Sequence, residues 1–209
     1  MKRLRFAVLV SGRGSNLQAL LNAREKGAIK GDVVVVLSDK KDAYALERAR
    51  KEGIPAFSVE PKDFCEKKDF EGELLKIIEE HNVDYILLAG FMRVLSSFFI
   101  RGTSVPILNI HPSLLPSFTG LHAQRQTLEY GVRYSGCTVH FIDEGVDTGP
   151  IIQQAVVPVY ADDTEESLSL RILQEEHKLY PEVVRLLCED KIRYEDRKVI
   201  IIEEETENE

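Results

Sequence analysis

The sequence predicts an α/β protein: a doubly wound, Rossmann-like, mostly parallel sheet with helices on both faces and an antiparallel hairpin in the C-terminal half. Three observations predict it. Continuous apolar runs within Phe6–Val10, Val33–Leu37 and Tyr85–Ala89 have the pattern of strands buried on both faces. Stretches of helical periodicity separate those runs, the rhythm of parallel strands joined by crossover helices. From Gly136 to Asp143, and again from Ile151 to Val159, the chain reads as two strands paired across a loop.

Phe6–Val10 ends at Ser11-Gly12-Arg13-Gly14-Ser15-Asn16, after which Leu17, Leu20 and Leu21 repeat at helical spacing. Gly12 and Gly14 permit tight or left-handed backbone, Ser15 or Asn16 is expected to cap the helix, and its free N–H groups form an anion site. The loop has neither the third glycine of a dinucleotide fingerprint nor the Lys-Ser/Thr of a P-loop. It reads as a phosphate cradle or as an ordinary strand-to-helix turn.

Asp32–Asp39 is the second strand, and a helix over Ala43–Lys51 closes at Gly53. Ile54–Val59 is a short third strand, which Pro55 puts at an edge. The charged run Asp63–Glu71 leads into Leu74, Leu75, Ile77 and Ile78 as the wet face of an amphipathic helix, with a ligand role for Lys67 or Lys68 as the alternative. Gly90 ends the fourth strand. Phe91-Met92-Arg93 then either line an apolar slot or pack a helix on the sheet.

In the fifth strand, Val105–His111, Asn109 and His111 fall two apart and share a face, and Pro112 stops the ladder. A helix is expected over Leu121–Tyr130, ending at Gly131. The loop Glu144–Pro150 carries Asp147 at its tip between the two paired strands. Thr164 caps a long helix through Leu168, Ile172, Leu173, Glu176, Leu179 and Tyr180, with Ser167 less ideal than Glu at the third position. Pro181 is expected to restart that helix. Arg193–Ile202 reads as a terminal hairpin and residues 203–209 as a solvated acidic tail. Residues 1–202 are expected to form one domain, with halves meeting near residue 100.

At 209 residues and 44% hydrophobic, the chain is long enough for a sizeable core. The net charge of −8 argues against a nucleic-acid or anionic-membrane partner. One small anion remains possible, because a nest of backbone N–H groups suffices to hold it. Cys65, Cys137 and Cys188 are odd in number and far apart, which suggests neither a disulfide framework nor a cysteine zinc site. The apolar run after Met1–Arg5 is too short for a signal peptide, and no stretch approaches the ~18–20 apolar residues of a membrane span. A cytoplasmic protein is expected.

Asn109, His111 and Asp147 are expected to form an acyl-transfer site. Asn109 supplies an amide donor and His111 a second donor where charge develops on oxygen. A carboxylate beside His111 orients the ring and favours its charged form, and it can also accept a proton.

Four segments, taken together, resemble the folate-dependent glycinamide ribonucleotide formyltransferases over nearly the whole chain. They are Ser11–Leu17, Leu88–Arg93, Leu108–Pro116, and Val139–Phe141 with Asp147–Ile151. The resemblance implies transfer of a formyl group from 10-formyltetrahydrofolate to the amine of glycinamide ribonucleotide, with Asn109, His111 and Asp147 catalytic. It implies that Gly12, Arg13, Gly14, Ser15 and Asn16 hold the phosphate and that Glu176 meets the ribose. It also implies a folate pocket from Phe91, Met92, Arg93, Val94, Leu95, Ile142, Asp143 and Glu144.

His140 is given a supporting place behind that site, with a solvent-facing residue as the alternative, Thr138 is given a supporting place too, and His81, His122 and His177 are read as structural or surface groups. No metal is required, and a monomer or homodimer is expected. Ser117-Phe118-Thr119-Gly120 departs from the family pattern, which commonly has Pro before this Gly and often a basic residue after Pro116. A looser loop beside the substrate is the expected consequence.

Other formyl-folate enzymes are alternatives. Methionyl-tRNA formyltransferases carry a further C-terminal domain and need a basic surface, and formyltetrahydrofolate hydrolases carry an N-terminal regulatory domain, whereas here the first strand begins by Leu4. A non-catalytic nucleotide-binding module leaves Asn109, His111 and Asp147 unexplained. The glycine-rich loop around Asp147 is expected to move on binding.

Overall fold

The structure is a computed structural model and describes residues 3–195 and 197–202; the expected acidic tail lies outside them. Its strands are β1 (Leu4–Val10), β2 (Gly31–Ser38), β3 (Ala56–Ser58), β4 (Tyr85–Leu88), β5 (Ile107–His111), β6 (Tyr134–Phe141) and β7 (Ile151–Pro158), in the spatial order β3-β2-β1-β4-β5-β6-β7. The first five pair in parallel, while β6 and β7 extend the sheet antiparallel. This is the expected doubly wound architecture, with β3 on the edge that Pro55 indicated.

Burial on two faces accounts for the apolar runs. Phe6, Val8 and Val10 of β1 face one layer, formed by α1 (Ser15–Glu25), α2 (Tyr44–Lys51) and α6 (Glu165–Cys188). Ala7 and Leu9 face the other, formed by α3 (Lys67–Glu80) and α4 (Ser97–Gly102). A strand sandwiched in this way has no position that can stay polar. From α6, the fully buried Tyr180 donates its hydroxyl to the carbonyls of Leu88 (3.1 Å) and Leu108 (3.3 Å), tying the helix to the ends of β4 and β5.

Three local expectations are corrected. The α1 N-cap is Gly14 at φ 70, with no side-chain cap, because the Asn16 amide is drawn to Glu176 instead. α5 spans Ala123–Tyr130, two residues shorter at its start than expected, with His122 left-handed at the N-cap. α6 runs unbroken through Pro181. Its start holds a complete capping box even with Ser167, whose Oγ accepts from Thr164 N at 3.0 Å.

The C-terminal hairpin is present as β8 (Ile192–Glu195) and β9 (Lys198–Ile201). No helix among the described residues is long and apolar enough to cross a membrane.

Candidate active site

At the switch in strand order, the loops leaving β1 and β4 lie side by side. Ser11 N donates to Gly90 O at 3.0 Å, and Ser11 Oγ accepts from Met92 N at 2.8 Å. Open α/β sheets bind ligands where strand order reverses. Beside this junction is a cavity of about 550 Å³, lined by Phe91–Leu95, Asn109–Pro112, Gly120–His122 and most of the loop between β6 and β7. Its mouth is apolar: Met92 is 61% exposed and Leu121 60%.

Asn109 and His111 alternate with buried Leu108 and Ile110, so both project from the face that α3 and α4 cover further along the sheet. The loop carrying Asp147 leaves β6 beside Ile107, where Ile142 N donates to Ile107 O at 2.8 Å. It then folds back along β5 until Asp147 Oδ2 lies 3.4 Å from His111 Nδ1. Asp147 is therefore no exposed loop tip; its side chain is only 12% exposed.

The ring of His111 is held from both sides, with Nε2 donating to Phe118 O at 2.8 Å and Nδ1 facing Asp147. Both ring nitrogens thus have an acceptor beside them, which fixes the plane and orientation of the imidazole. Asp147 Oδ2 also accepts from Gly120 N at 2.7 Å. The segment Ser117–Gly120 thus touches both partners through its main chain. The unusual Ser117 and Thr119 remove none of these contacts, because carbonyl and N–H groups make them.

His140, fully buried, donates from Nδ1 to Phe141 O at 2.8 Å, which leaves Nε2 as an acceptor 3.3 Å from Asn109 Nδ2. Burial lowers its pKa, so the neutral ring is favoured. One Asn109 amide hydrogen is therefore taken by His140, and the other remains for the cavity that Asn109 lines. Thr138 braces the turn after His111: its Oγ1 donates to Ser113 O at 2.7 Å and accepts from Leu115 N at 3.1 Å.

Of the residues expected at a folate pocket, Phe91–Leu95, Ile142 and Asp143 line the cavity and Glu144 does not. Glu144 makes two 2.8 Å contacts to Arg101, whose guanidinium holds its carboxyl below the usual range. Arg93 lines the cavity while its Nε is held by Asp39 at 2.7 Å.

Gly12–Asn16 lie outside the cavity lining, at the start of α1. There Asn16 Nδ2 donates to Glu176 Oε2 at 2.7 Å, joining the loop to α6. Glu176 is buried, and loss of solvation raises its pKa. Asn16 Oδ1 is buried without a partner among the described residues.

Sequence reasoning missed His122, Gln124 and Glu165, which also line the cavity. The left-handed His122 breaks the helical pattern that hid it, and only its place after Gly120-Leu121 hinted at a loop.

The chain belongs to the formyl transferase family, whose model matches residues 4–184. Within it, the chain is 42% identical over 190 residues to the phosphoribosylglycinamide formyltransferase of Escherichia coli, covering 91% of this chain and 90% of that protein. It is 50% identical over 188 residues to the trifunctional purine biosynthetic protein adenosine-3 of Drosophila melanogaster, covering 89% of this chain but 14% of that much longer protein. The crystal structure of glycinamide ribonucleotide transformylase 1 from Symbiobacterium toebii superposes with a TM-score of 0.93 at 49% identity, covering 96% of this chain and 95% of that one.

Proposed function

We propose that this chain transfers a formyl group from 10-formyltetrahydrofolate to the primary amine of glycinamide ribonucleotide in purine biosynthesis. The observation that carries the reading is the convergence of Asn109, His111 and Asp147 at one side of an apolar-mouthed cavity. Its volume of about 550 Å³ suits a flat heterocycle. The exposed side chains of Met92 and Val94 support an apolar seat for the ring.

As the amine attacks, negative charge develops on the formyl oxygen. The free Asn109 amide hydrogen, with the His111 ring held beside it by Asp147 and Phe118 O, stabilises it more in the transition state than in the ground state. Asp147 accepts the proton that the amine sheds as the new C–N bond forms, directly or through water. That proton passes to the folate nitrogen as its bond to the formyl carbon breaks.

The ribonucleotide phosphate belongs at the N-terminus of α1, over Gly12–Asn16, where unpaired backbone N–H groups and the helix dipole favour an anion. The unpaired Asn16 Oδ1 beside Glu176 supports a place for a ribose hydroxyl donor there. The three free cysteines support a reducing, cytoplasmic setting.

The test is a formyl-transfer assay with both substrates. Turnover that requires the amine supports the proposal; formate release independent of the amine would replace it with a hydrolase.

A further inference from the structure

We propose that the C-terminal hairpin is part of the reacting site, and that Arg197 in its turn is a positioning residue that holds Asp147 through the carbonyl of Thr148. The Arg197 Nη2 atom donates to Thr148 O at 2.6 Å. The family match ends at residue 184, before the hairpin begins.

Gly120 N holds the Asp147 carboxylate at 2.7 Å, but the Asp147 backbone also needs support. Its φ of 54 is left-handed, a region that Asp enters more readily than most side chains but still at a cost. Gly145 and Gly149 flank it and add freedom. Toward its beginning the loop is anchored by Arg101 on Glu144, and by Asp143 Oδ1, which accepts from Gly145 N at 3.0 Å and Thr148 Oγ1 at 2.6 Å. Past Asp147, Arg197 holds Thr148 O one residue on, and Phe141 N of β6 holds Pro150 O at 2.9 Å.

The hairpin is well placed for this. β9 packs against β7, and the Tyr194 ring meets the Phe141 ring edge-on at 6.0 Å, at the residue where β6 gives way to the loop. A guanidinium donating to a carbonyl makes a stronger bond than a neutral donor does.

The inference rests on reading Asp147 as the proton-accepting carboxylate. The test compares wild type, Arg197→Ala and Arg197→Lys in formyl transfer, and follows hydrogen exchange of residues 142–150 in the same proteins. Arg197→Ala is expected to lower kcat about five- to tenfold with KM for the ribonucleotide unchanged, to speed exchange in the loop, and to be largely rescued by Arg197→Lys. Unchanged kcat and exchange in Arg197→Ala overturn the proposal, as does a loss that follows lowered thermal stability and is not rescued by lysine. If wild type itself transfers no formyl group, the functional reading falls. The exchange comparison still decides the anchoring, with faster exchange in Arg197→Ala upholding it and equal exchange overturning it.

Discussion

His111 Nδ1 lies 3.4 Å from Asp147 Oδ2, although the loop bearing Asp147 leaves the sheet beside Ile107, at the opposite end of β5. A donor and an acceptor are thereby delivered to one point from two strands that run in opposite directions. Gly120 N locks the same carboxylate oxygen at 2.7 Å.

His111→Ala and Asp147→Asn should each lower kcat by roughly 10²- to 10⁴-fold, the range for loss of a proton-transfer or charge-stabilising group. Asn at 147 retains an acceptor for Gly120 N, so its melting temperature should stay close to wild type. Steady-state kinetics beside a thermal melt checks this. A fall in activity that merely tracks unfolding would refute the assignment.

Acid should expose His140. Burial, the largest cause, holds its ring below the ordinary value of 6.5, so the unfolded chain takes up this proton first as pH falls. Its contribution to stability is intact above pH 6.5 and is lost as pH drops through the lowered folded value. His140→Gln removes the titration while keeping an acceptor near Asn109. Denaturant unfolding at about pH 7.5 and about pH 5.5 should therefore show a smaller loss in the variant than in wild type. Equal losses would count against a buried neutral ring.

Glu71, with its side chain 1% exposed, accepts from Ser96 N at 2.9 Å and from Ser96 Oγ, just where the cavity segment Phe91–Leu95 enters α4. From the same helix, Lys67 Nζ donates to Val94 O at 2.7 Å. Glu71→Ala leaves the donors of Ser96 without their acceptor and should destabilise the fold by about 1–3 kcal/mol. A severalfold rise in KM for the folate, with kcat retained, is expected alongside. Unchanged KM would show that the segment holds its shape without Glu71.

Gly14 has a packing reason to be glycine beside the phosphate-binding role proposed for it. A Cβ there would stand 2.5 Å from Ala45 Cβ, and φ is already left-handed at 70. Gly14→Ala should destabilise by about 1–3 kcal/mol and raise KM for the ribonucleotide more than for the folate. Unfolding curves and the two KM values measure it; an equal rise in both would argue against a phosphate site at this loop.

Much of this fold is legible locally. The strands of the parallel sheet announce themselves because burial on two faces excludes polar residues, and Asn109 and His111 share a face because they are two apart in a strand. Leu121 misled the helix boundary: it fits an apolar period, yet it is exposed at the cavity mouth. Pro181 signalled a break, but α6, packed against β6, β7 and α1, runs straight through it. Arg101 on Glu144, Arg197 on Thr148 and Phe118 O on His111 left no local signal, since none depends on period or composition.

The sequence by itself determined the order of strands and helices, the turn at which each strand ends, and the pairing of Asn109 with His111. These follow from residue spacing and from the demand that every apolar face be covered. Only the tertiary structure decided that the β6–β7 loop doubles back along β5, that Asp147 is brought against His111, and that Asn16 turns from capping its helix to binding Glu176. Those outcomes depend on which distant donors and acceptors packing brings within about 3 Å, a distance that no local pattern encodes.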